Sequence, residues 1–498
     1  MFLVRKTKLN KAKNQNINKR VDKMNSNARE NINVESGNNK EVLTSQLLDM
    51  RGGPLSSMIP ALVFVVILFW LSFESRASIS GFWVGGWLAI LVGLFLAKSP
   101  NQFAASVVRG LRDETGVLII AAFIFAGVFG TILSKGGLVN GLLWIGTETG
   151  LTGAKFTVLA FILASIFGVG TGTSVGTVVA MVPILLPAGI YLGSDPTMLA
   201  LAIIAGGAFG DNLAPISDTT ISSAYSSGAE MGDVVRTRLP LSLTAALISI
   251  IIFAIFGGGG TVVNNAVEHV YSPMGLIMIV PFVVVIILAM SKQHIIAALM
   301  WGSLIALILG VATNLISVSD IFSIPEKRGD STGLIENGIR GVVGPVVLVL
   351  FILSMAQVVK ESGLMNIILA KLQKHAAQGV RSAEFIISGI TLLFTVPLGA
   401  NAPAILLVGP AFAVPLGQEK NLSPSRIANL MDCSANTVFY MLPWHNAVIV
   451  WFATVATTSE QYGFEVPSIW AAALNPYAWA LLLVLVVSIT TGWNRKFT

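Results

Sequence analysis

Charge is what this 498-residue chain lacks most: Asp, Glu, Lys and Arg together make up only 11% of it, against about 25% in a typical soluble domain. Apolar runs recur instead, among them 57–73, 116–133, 239–256 and 274–290. Each run is long enough for a helix to cross a hydrocarbon core of ~30 Å. The composition excludes an ordinary soluble domain and predicts an all-α polytopic membrane protein. A β-barrel would show alternating segments of ~10 residues instead.

Cysteine is almost absent, since Cys433 is the single one. One cysteine excludes an intrachain disulfide and any metal site built from several cysteines. The sequence also has no zinc-hydrolase, phosphate-loop or nucleophile–base pattern, so we expect no enzymatic activity and no cofactor. Its net charge of +6 comes largely from termini and loops. The tendency of cytoplasmic loops to be basic explains this charge better than nucleic-acid binding does.

The chain divides into a polar tail and two similar halves. Residues 1–50 are rich in Lys, Arg and Asn without an apolar run, which predicts a disordered basic cytoplasmic tail. Residues 51–260 and 261–498 share short matches in the same order, such as SKGGLVN at 134–140 and KESGLMN at 360–366. The near-constant distance along the chain between the matching segments of the two halves predicts two repeats of about five crossings each. Because five is odd, the second repeat is inverted relative to the first.

Loop charges predict a multi-pass protein of the cell inner membrane with both termini in the cytoplasm. Segment 154–192 has a glycine-rich break and either crosses once or returns as a re-entrant hairpin. The hairpin is favoured because it places the loop around Arg236 and Arg238 inside. A second hairpin is predicted for segment 383–417, and helix breaks are expected at 211–217 and 441–446.

The break at 211–217 carries the carboxylate of Asp211, and Asp218 directly follows it, within an apolar stretch. A charge in the bilayer centre costs at least ~2.5–3.5 kcal/mol, so it is kept where a cation, a proton or water meets it. Oxygen ligands suit a small hard cation, which predicts Na⁺ at Asp211, Asp218 and Thr173. The other oxygen-bearing candidates are Asn212, Ser217, Thr219, Thr171 and Ser174. Asp218 and Asn212 have an alternative role as helix caps.

The second half offers fewer charges at the matching positions. Its candidates for substrate binding are Asn401, Asn436, Thr437, Trp444, His445 and Asn446. A histidine in a break can sense or carry a proton. The alternative is a histidine that binds a carbonyl at a helix end. Asp432 is expected nearer the cytoplasmic mouth.

The runs GTGTSVGT (170–177) and GGAFGDNLAPISDTT (206–220) resemble the signature of NhaC-type sodium/proton antiporters, in the ion transporter superfamily. The similarity is most specific over about 165–240. Its general organisation extends across 57–491 and leaves the N-terminal tail outside. LPWHN (442–446) differs from the family's Pro-Trp-Asn pattern by the inserted His445, and the second hairpin tip reads GANAP. The resemblance implies Na⁺ binding at the first-half motif and a homodimer.

The leading hypothesis is secondary active antiport, with Na⁺ and H⁺ competing for the midplane carboxylates. The alternative is a Na⁺-coupled transporter or exchanger of a small organic acid or amino acid. A passive channel is disfavoured by the repeated, paired breaks. The expected partners are the lipid bilayer and the transported Na⁺ and H⁺.

Overall fold

The computed structural model describes residues 48–73, 79–112, 114–215, 217–260, 272–291, 293–321, 333–364, 367 and 379–498. Apart from its last three residues, the predicted tail of residues 1–50 lies outside these ranges. The described residues are almost all helical, and the β-structure among them consists of three isolated bridges. The all-α prediction is therefore confirmed.

The helices of the first half are α1 (Ile59–Phe73), α2 (Ile79–Leu96), α3 (Pro100–Gly110), α4 (Glu114–Lys135), α5 (Leu138–Thr149), α6 (Ala154–Thr171), α7 (Ser174–Tyr191), α8 (Pro196–Leu213), α9 (Asp218–Ser227) and α10 (Met231–Phe256). Those of the second half are α11 (Ile279–Met290), α12 (Ile295–Ala312), α13 (Val318–Ile321), α14 (Leu334–Glu361), α15 (Val380–Leu398), α16 (Asn401–Val408), α17 (Val414–Glu419), α18 (Pro424–Val438), α19 (Asn446–Tyr462) and α20 (Pro476–Thr491). A π-helical turn, Gly409–Ala413, joins α16 to α17.

Nine helical segments in the described part are long and apolar enough to span a membrane. Helices α4 and α5 bend by 60° where they meet, and they add a tenth span if they are counted as one. The described part of the chain is thus a polytopic membrane protein. The predicted inversion of the second repeat stays a prediction.

Segment 154–192 folds as a helical hairpin of α6 and α7, as its charge pattern favours. The Gly153 N–H, just before α6, donates to the Leu192 carbonyl just after α7, at 2.8 Å. The two ends of the segment therefore lie side by side. At its tip, Gly172 has φ +67°, a left-handed conformation that glycine adopts without strain.

Segment 380–419 forms a second hairpin from α15, α16 and α17. Its tip repeats the first one, because Gly399 has φ +61° and the next residue, Ala400, is extended like Thr173. The base of this hairpin is fixed by charge. Buried Glu384 accepts hydrogen bonds from Arg426 Nε at 2.8 Å and from Arg495 Nη2 at 2.6 Å.

The first hairpin packs on α8 through glycines. A Cβ on Gly210 would lie 2.3 Å from the Gly168 carbonyl carbon, and one on Gly206 would lie 2.6 Å from the Phe161 carbonyl oxygen. Glycines spaced four apart let two membrane helices approach to backbone contact. This contact fixes the end of α8, which carries Asp211, against the hairpin.

Gly210→Ala is expected to destabilise the protein, because the new methyl group meets backbone atoms that cannot rotate away. Overpacking typically costs ~1–3 kcal/mol. The apparent unfolding temperature of purified protein in detergent measures this change. The control is Gly232→Ala, since a Cβ on Gly232 meets nothing within 4 Å. Equal unfolding temperatures for the two variants would contradict the proposed backbone contact.

Candidate functional site

Helix α8 ends inside the protein at Leu213, and α9 begins at Asp218 after a short break. Ala214 and Ser217 both have extended backbone, and Pro215 between them has no N–H to continue a helix. Asp211 and Asn212 are in the last turn of α8, and both are buried. Irregular backbone at membrane depth requires a polar surrounding, and the side chains around this break supply it.

The Asp211 carboxylate is 4% exposed and is surrounded by hydroxyl groups. Ser217 donates to Oδ1 at 2.6 Å, whereas Tyr440 and Ser174 donate to Oδ2 at 2.5 and 3.4 Å. These donors come from the break, from the residues after α18 and from the tip of the first hairpin. The contact with Tyr440 joins residues 229 positions apart in the chain.

Asp432 on α18 is the second buried carboxylate near the break, and it forms an ion pair. Its Oδ2 lies 2.6 Å from Arg238 Nη1, and neither side chain is exposed. Arg238 Nη1 also donates to the backbone carbonyl of Asn212 at 2.5 Å, in the last turn of α8. Arg238 therefore neutralises Asp432 and binds a carbonyl that the helix break leaves without a helical N–H donor.

Side-chain amides and hydroxyls connect the two carboxylates. Ser217 lies 3.0 Å from Thr219, and Asn436 donates to Thr219 at 3.5 Å. The same Asn436 amide donates to Asp432 Oδ1 at 2.5 Å, and its oxygen accepts from Asn401 at 2.7 Å. The first-half break and α18 are thus joined by one continuous polar network.

Some of the predicted cation ligands lie beside Asp211 in the structure, and others do not. Ser174, Ser217 and Thr219 lie with Asp211 in this network. Asn212 faces the other cluster, because it donates to Asp432 at 3.3 Å and accepts from Ser242 and Tyr477 at 2.6 and 3.2 Å.

The remaining cation candidates are placed differently. Thr173 caps α7 by accepting from the Gly176 N–H at 3.3 Å. Thr171 is within 3.5 Å of the Gly168 carbonyl. Asp218 begins α9 with an exposed side chain. Sodium binding at Asp211, Asp218 and Thr173 together stays a prediction.

In the second half, Trp444 and His445 bind backbone. Trp444 Nε1 donates to the Val396 carbonyl at 3.0 Å, and His445 Nε2 lies 3.1 Å from the same oxygen. Thr437 donates to the Ser434 carbonyl at 2.7 Å, and the Asn446 N–H donates to the Gly399 carbonyl at 3.2 Å. The contacts of Trp444, His445 and Asn446 join the second break to the end of α15. His445 thus lies beside a backbone carbonyl at a helix end, as the structural alternative for this histidine expects. Of the six second-half candidates, Asn401 and Asn436 lie in the polar network.

Two network residues were missed from the sequence. The loop charges predict Arg238 in a cytoplasmic loop, but α10 begins at Met231 and the side chain is fully buried. Tyr440 lies in an apolar run that carries no signal of its own. An arginine beside a long apolar run, with a buried aspartate elsewhere, is the signal that favours an internal ion pair.

Within the described residues, no group of three or more His, Cys, Asp and Glu side chains is arranged to hold a metal ion. The hydroxyl-rich surroundings of Asp211 do fit a single monovalent cation held by oxygen.

Comparison with known proteins places the chain in a family. The model of the Na⁺/H⁺ antiporter family matches residues 5–258 and 261–492. The match begins at residue 5, so the expectation that the N-terminal tail lies outside the resemblance is wrong.

Three relatives cover most of the chain. The malate-2H⁺/Na⁺-lactate antiporter of Bacillus subtilis is 24% identical over 83% of this chain and 88% of its own length. The Na⁺/H⁺ antiporter NhaC of Alkalihalophilus pseudofirmus is 24% identical over 72% and 80%. The arginine/ornithine antiporter ArcD of Halobacterium salinarum is 23% identical over 78% and 80%. Since the family model matches almost the whole chain, this multi-pass membrane transporter belongs to the Na⁺/H⁺ antiporter family.

Proposed function

We propose that the protein exchanges Na⁺ for H⁺ across the cell membrane, and that both ions compete for Asp211. One observation carries the proposal. Of the three buried carboxylates in the described part of the chain, Glu384 and Asp432 are in ion pairs and Asp211 is in none. A buried charge without an ionic partner is costly, and a bound proton or Na⁺ removes that cost.

The hydroxyl groups around Asp211 suit both occupants. A hydroxyl donates one hydrogen bond and also offers lone pairs. Ser174, Ser217 and Tyr440 can therefore donate to the bare carboxylate, and they can turn their oxygens towards a bound Na⁺. One carboxylate accommodates one charge-neutralising ion at a time. Competition for it couples the release of H⁺ to the binding of Na⁺.

The donors belong to elements that are separate in the chain. Ser174 opens α7 at the hairpin tip, Ser217 lies in the break before α9, and Tyr440 follows α18. A shift of any one element changes the cradle around Asp211. We assign exposed Asp218, at the start of α9, to attracting the cation. We assign Thr219 and Asn436 to holding the site in place.

A second candidate function is Na⁺-coupled exchange of a small organic acid or amino acid. The malate–lactate and arginine/ornithine antiporters among the relatives favour it. The buried pair of Asn401 and Asn436, whose amides meet at 2.7 Å beside the site, supplies groups that can bind a carboxylate. Such a solute would be carried in addition to Na⁺ at Asp211.

Proteoliposomes that enclose a pH-sensitive dye distinguish the two candidates. Addition of external Na⁺ is expected to raise the lumenal pH, because Na⁺ enters as H⁺ leaves, whereas K⁺ is expected to have little effect. The same vesicles are then given labelled malate, lactate, arginine or ornithine. Na⁺-dependent uptake of one of these solutes without a pH change would replace the first candidate by the second. Empty liposomes are the control.

A further inference from the structure

A cavity of about 580 Å³ lies between α4, α7, α14 and α19, apart from the polar network at the break. Its walls include Thr131 of α4, Val179 of α7, and Thr454 and Thr458 of α19. Arg340 and Glu460 also line it, and both are exposed. Because its volume is within the range of small-ligand sites, the cavity has room for an ion with its hydration shell.

Three of the four threonines that line this cavity use their hydroxyl hydrogens on their own helices. Thr131 donates to the Gly127 carbonyl at 2.8 Å, Thr454 to Val450 at 2.7 Å and Thr458 to Thr454 at 2.9 Å. A hydroxyl has one hydrogen, and here each is used on its own helix. What the three oxygens present to the cavity is therefore lone pairs. Such a wall favours a cation or the hydrogens of its hydration water.

The charged residues of the lining favour the same sign of ligand. Arg340 lies 3.8 Å from Glu336 on its own helix, which offsets its positive charge. Glu460 has no ion pair with any described residue. An unpaired carboxylate in a concave surface raises the local concentration of cations.

The cavity shares a helix with the Asp211 site. Helix α7 begins at Ser174, which donates to Asp211, and Val179 of the cavity wall lies five residues further along it. At ~1.5 Å per residue the two points are ~7.5 Å apart along the helix axis. We infer that this cavity is the entry vestibule for the transported hydrated monovalent cation, and that Glu460 recruits the cation at its mouth. This inference rests on the function proposed above.

Cysteine labelling in lipid nanodiscs tests the vestibule, because both faces of the protein are then accessible. The native Cys433 is buried and gives a low background. Thr454→Cys and Thr458→Cys are expected to react with a cationic methanethiosulfonate at least about tenfold faster than Thr244→Cys, because thiolates form in water and not in lipid. Thr244 is a matched control: it also donates to its own helix, at 2.8 Å, and lies beside exposed Leu243 and Leu247.

The charge of the reagent tests Glu460. At Thr458→Cys, the cationic reagent is expected to react several-fold faster than an anionic reagent of the same size. Glu460→Gln is expected to bring that ratio towards one, whereas Glu465→Gln, at another exposed glutamate, leaves it unchanged.

The outcomes separate the vestibule from the proposed function. Labelling at Thr454→Cys and Thr458→Cys no faster than at Thr244→Cys overturns the vestibule, whatever the transport assay shows. A reagent ratio unaffected by Glu460→Gln overturns the role of Glu460. The third outcome is fast, cation-selective labelling in a protein that moves no protons when Na⁺ is added. This result supports the vestibule and contradicts Na⁺/H⁺ exchange.

Discussion

Asp211→Asn is expected to abolish Na⁺-driven proton exchange in proteoliposomes while the fold is retained. Unit charges 4 Å apart attract by ~4 kcal/mol at an effective dielectric constant of ~20. Since ~1.4 kcal/mol is tenfold in affinity, losing the carboxylate should weaken Na⁺ binding by about 100- to 1000-fold. The fold survives because an amide is nearly isosteric and the hydroxyls of Ser217 and Tyr440 can turn to accept from it.

Two further variants sharpen this result. Asp233→Asn changes an exposed aspartate in the first turn of α10 and should exchange ions as the wild type does. Asp218→Asn should raise the Na⁺ concentration for half-maximal rate without abolishing exchange, because its exposed carboxylate attracts the ion from outside the cradle. Exchange by Asp211→Asn within threefold of wild type would rule out the assigned site. If Asp211→Asn and Asp218→Asn lost exchange activity equally, the result would support a cation site shared by the two carboxylates.

Arg238→Gln is expected to destabilise the protein severely. It leaves the Asp432 carboxylate, which is 0% exposed, without its ionic partner. Removing one member of a buried ion pair typically costs ~3–5 kcal/mol. The lone thiol of Cys433 adjoins Asp432 and is buried, so a thiol-reactive fluorogenic dye reports unfolding of this region on heating. We expect a large fall in the unfolding temperature by this dye.

Charge deletion at both ends of the pair isolates the electrostatic cause. Arg238→Gln combined with Asp432→Asn should recover part of the lost stability, because no unpaired charge is then buried. The control is Arg236→Gln, which changes an exposed arginine of the same helix and should leave the unfolding temperature unchanged. If Arg238→Gln unfolds at the wild-type temperature, the ion pair does not stabilise the break.

Features that depend on neighbouring residues in the sequence were predicted well. The apolar run 239–256 and helix α10 both end at Phe256, because a long apolar run both forms and delimits a membrane helix. The glycine-rich break in segment 154–192 is visible in the sequence because glycines and hydroxyl residues interrupt an apolar segment. The burial of Asp211 likewise follows from its place in an apolar stretch.

Features that depend on contacts between distant parts of the chain were not predicted well from the sequence. Loop counting treats an arginine at the end of an apolar run as cytoplasmic, so Arg238 was placed in a loop although its partner lies 194 positions away, at 432 − 238. The closeness of Asp211 and Asp218 in the sequence predicts a shared cation site, which stays a prediction. The break between Leu213 and Asp218 interrupts the helix, and the helical phase after it cannot be counted from the residues before it.

The ion pairs of the other buried carboxylates bear on what drives the cycle. Glu384 and Asp432 carry their own countercharges, which leaves Asp211 as the buried acid without an ionic partner in the described part of the chain and the proposed site of ion exchange. If one H⁺ leaves Asp211 for each Na⁺ that arrives, no net charge crosses the bilayer. Membrane voltage, worth ~2.3 kcal/mol per charge per 100 mV, would then do no work on the exchange. The ratio of Na⁺ gradients to pH gradients alone would set its direction, and the transporter would run equally well in a depolarised cell.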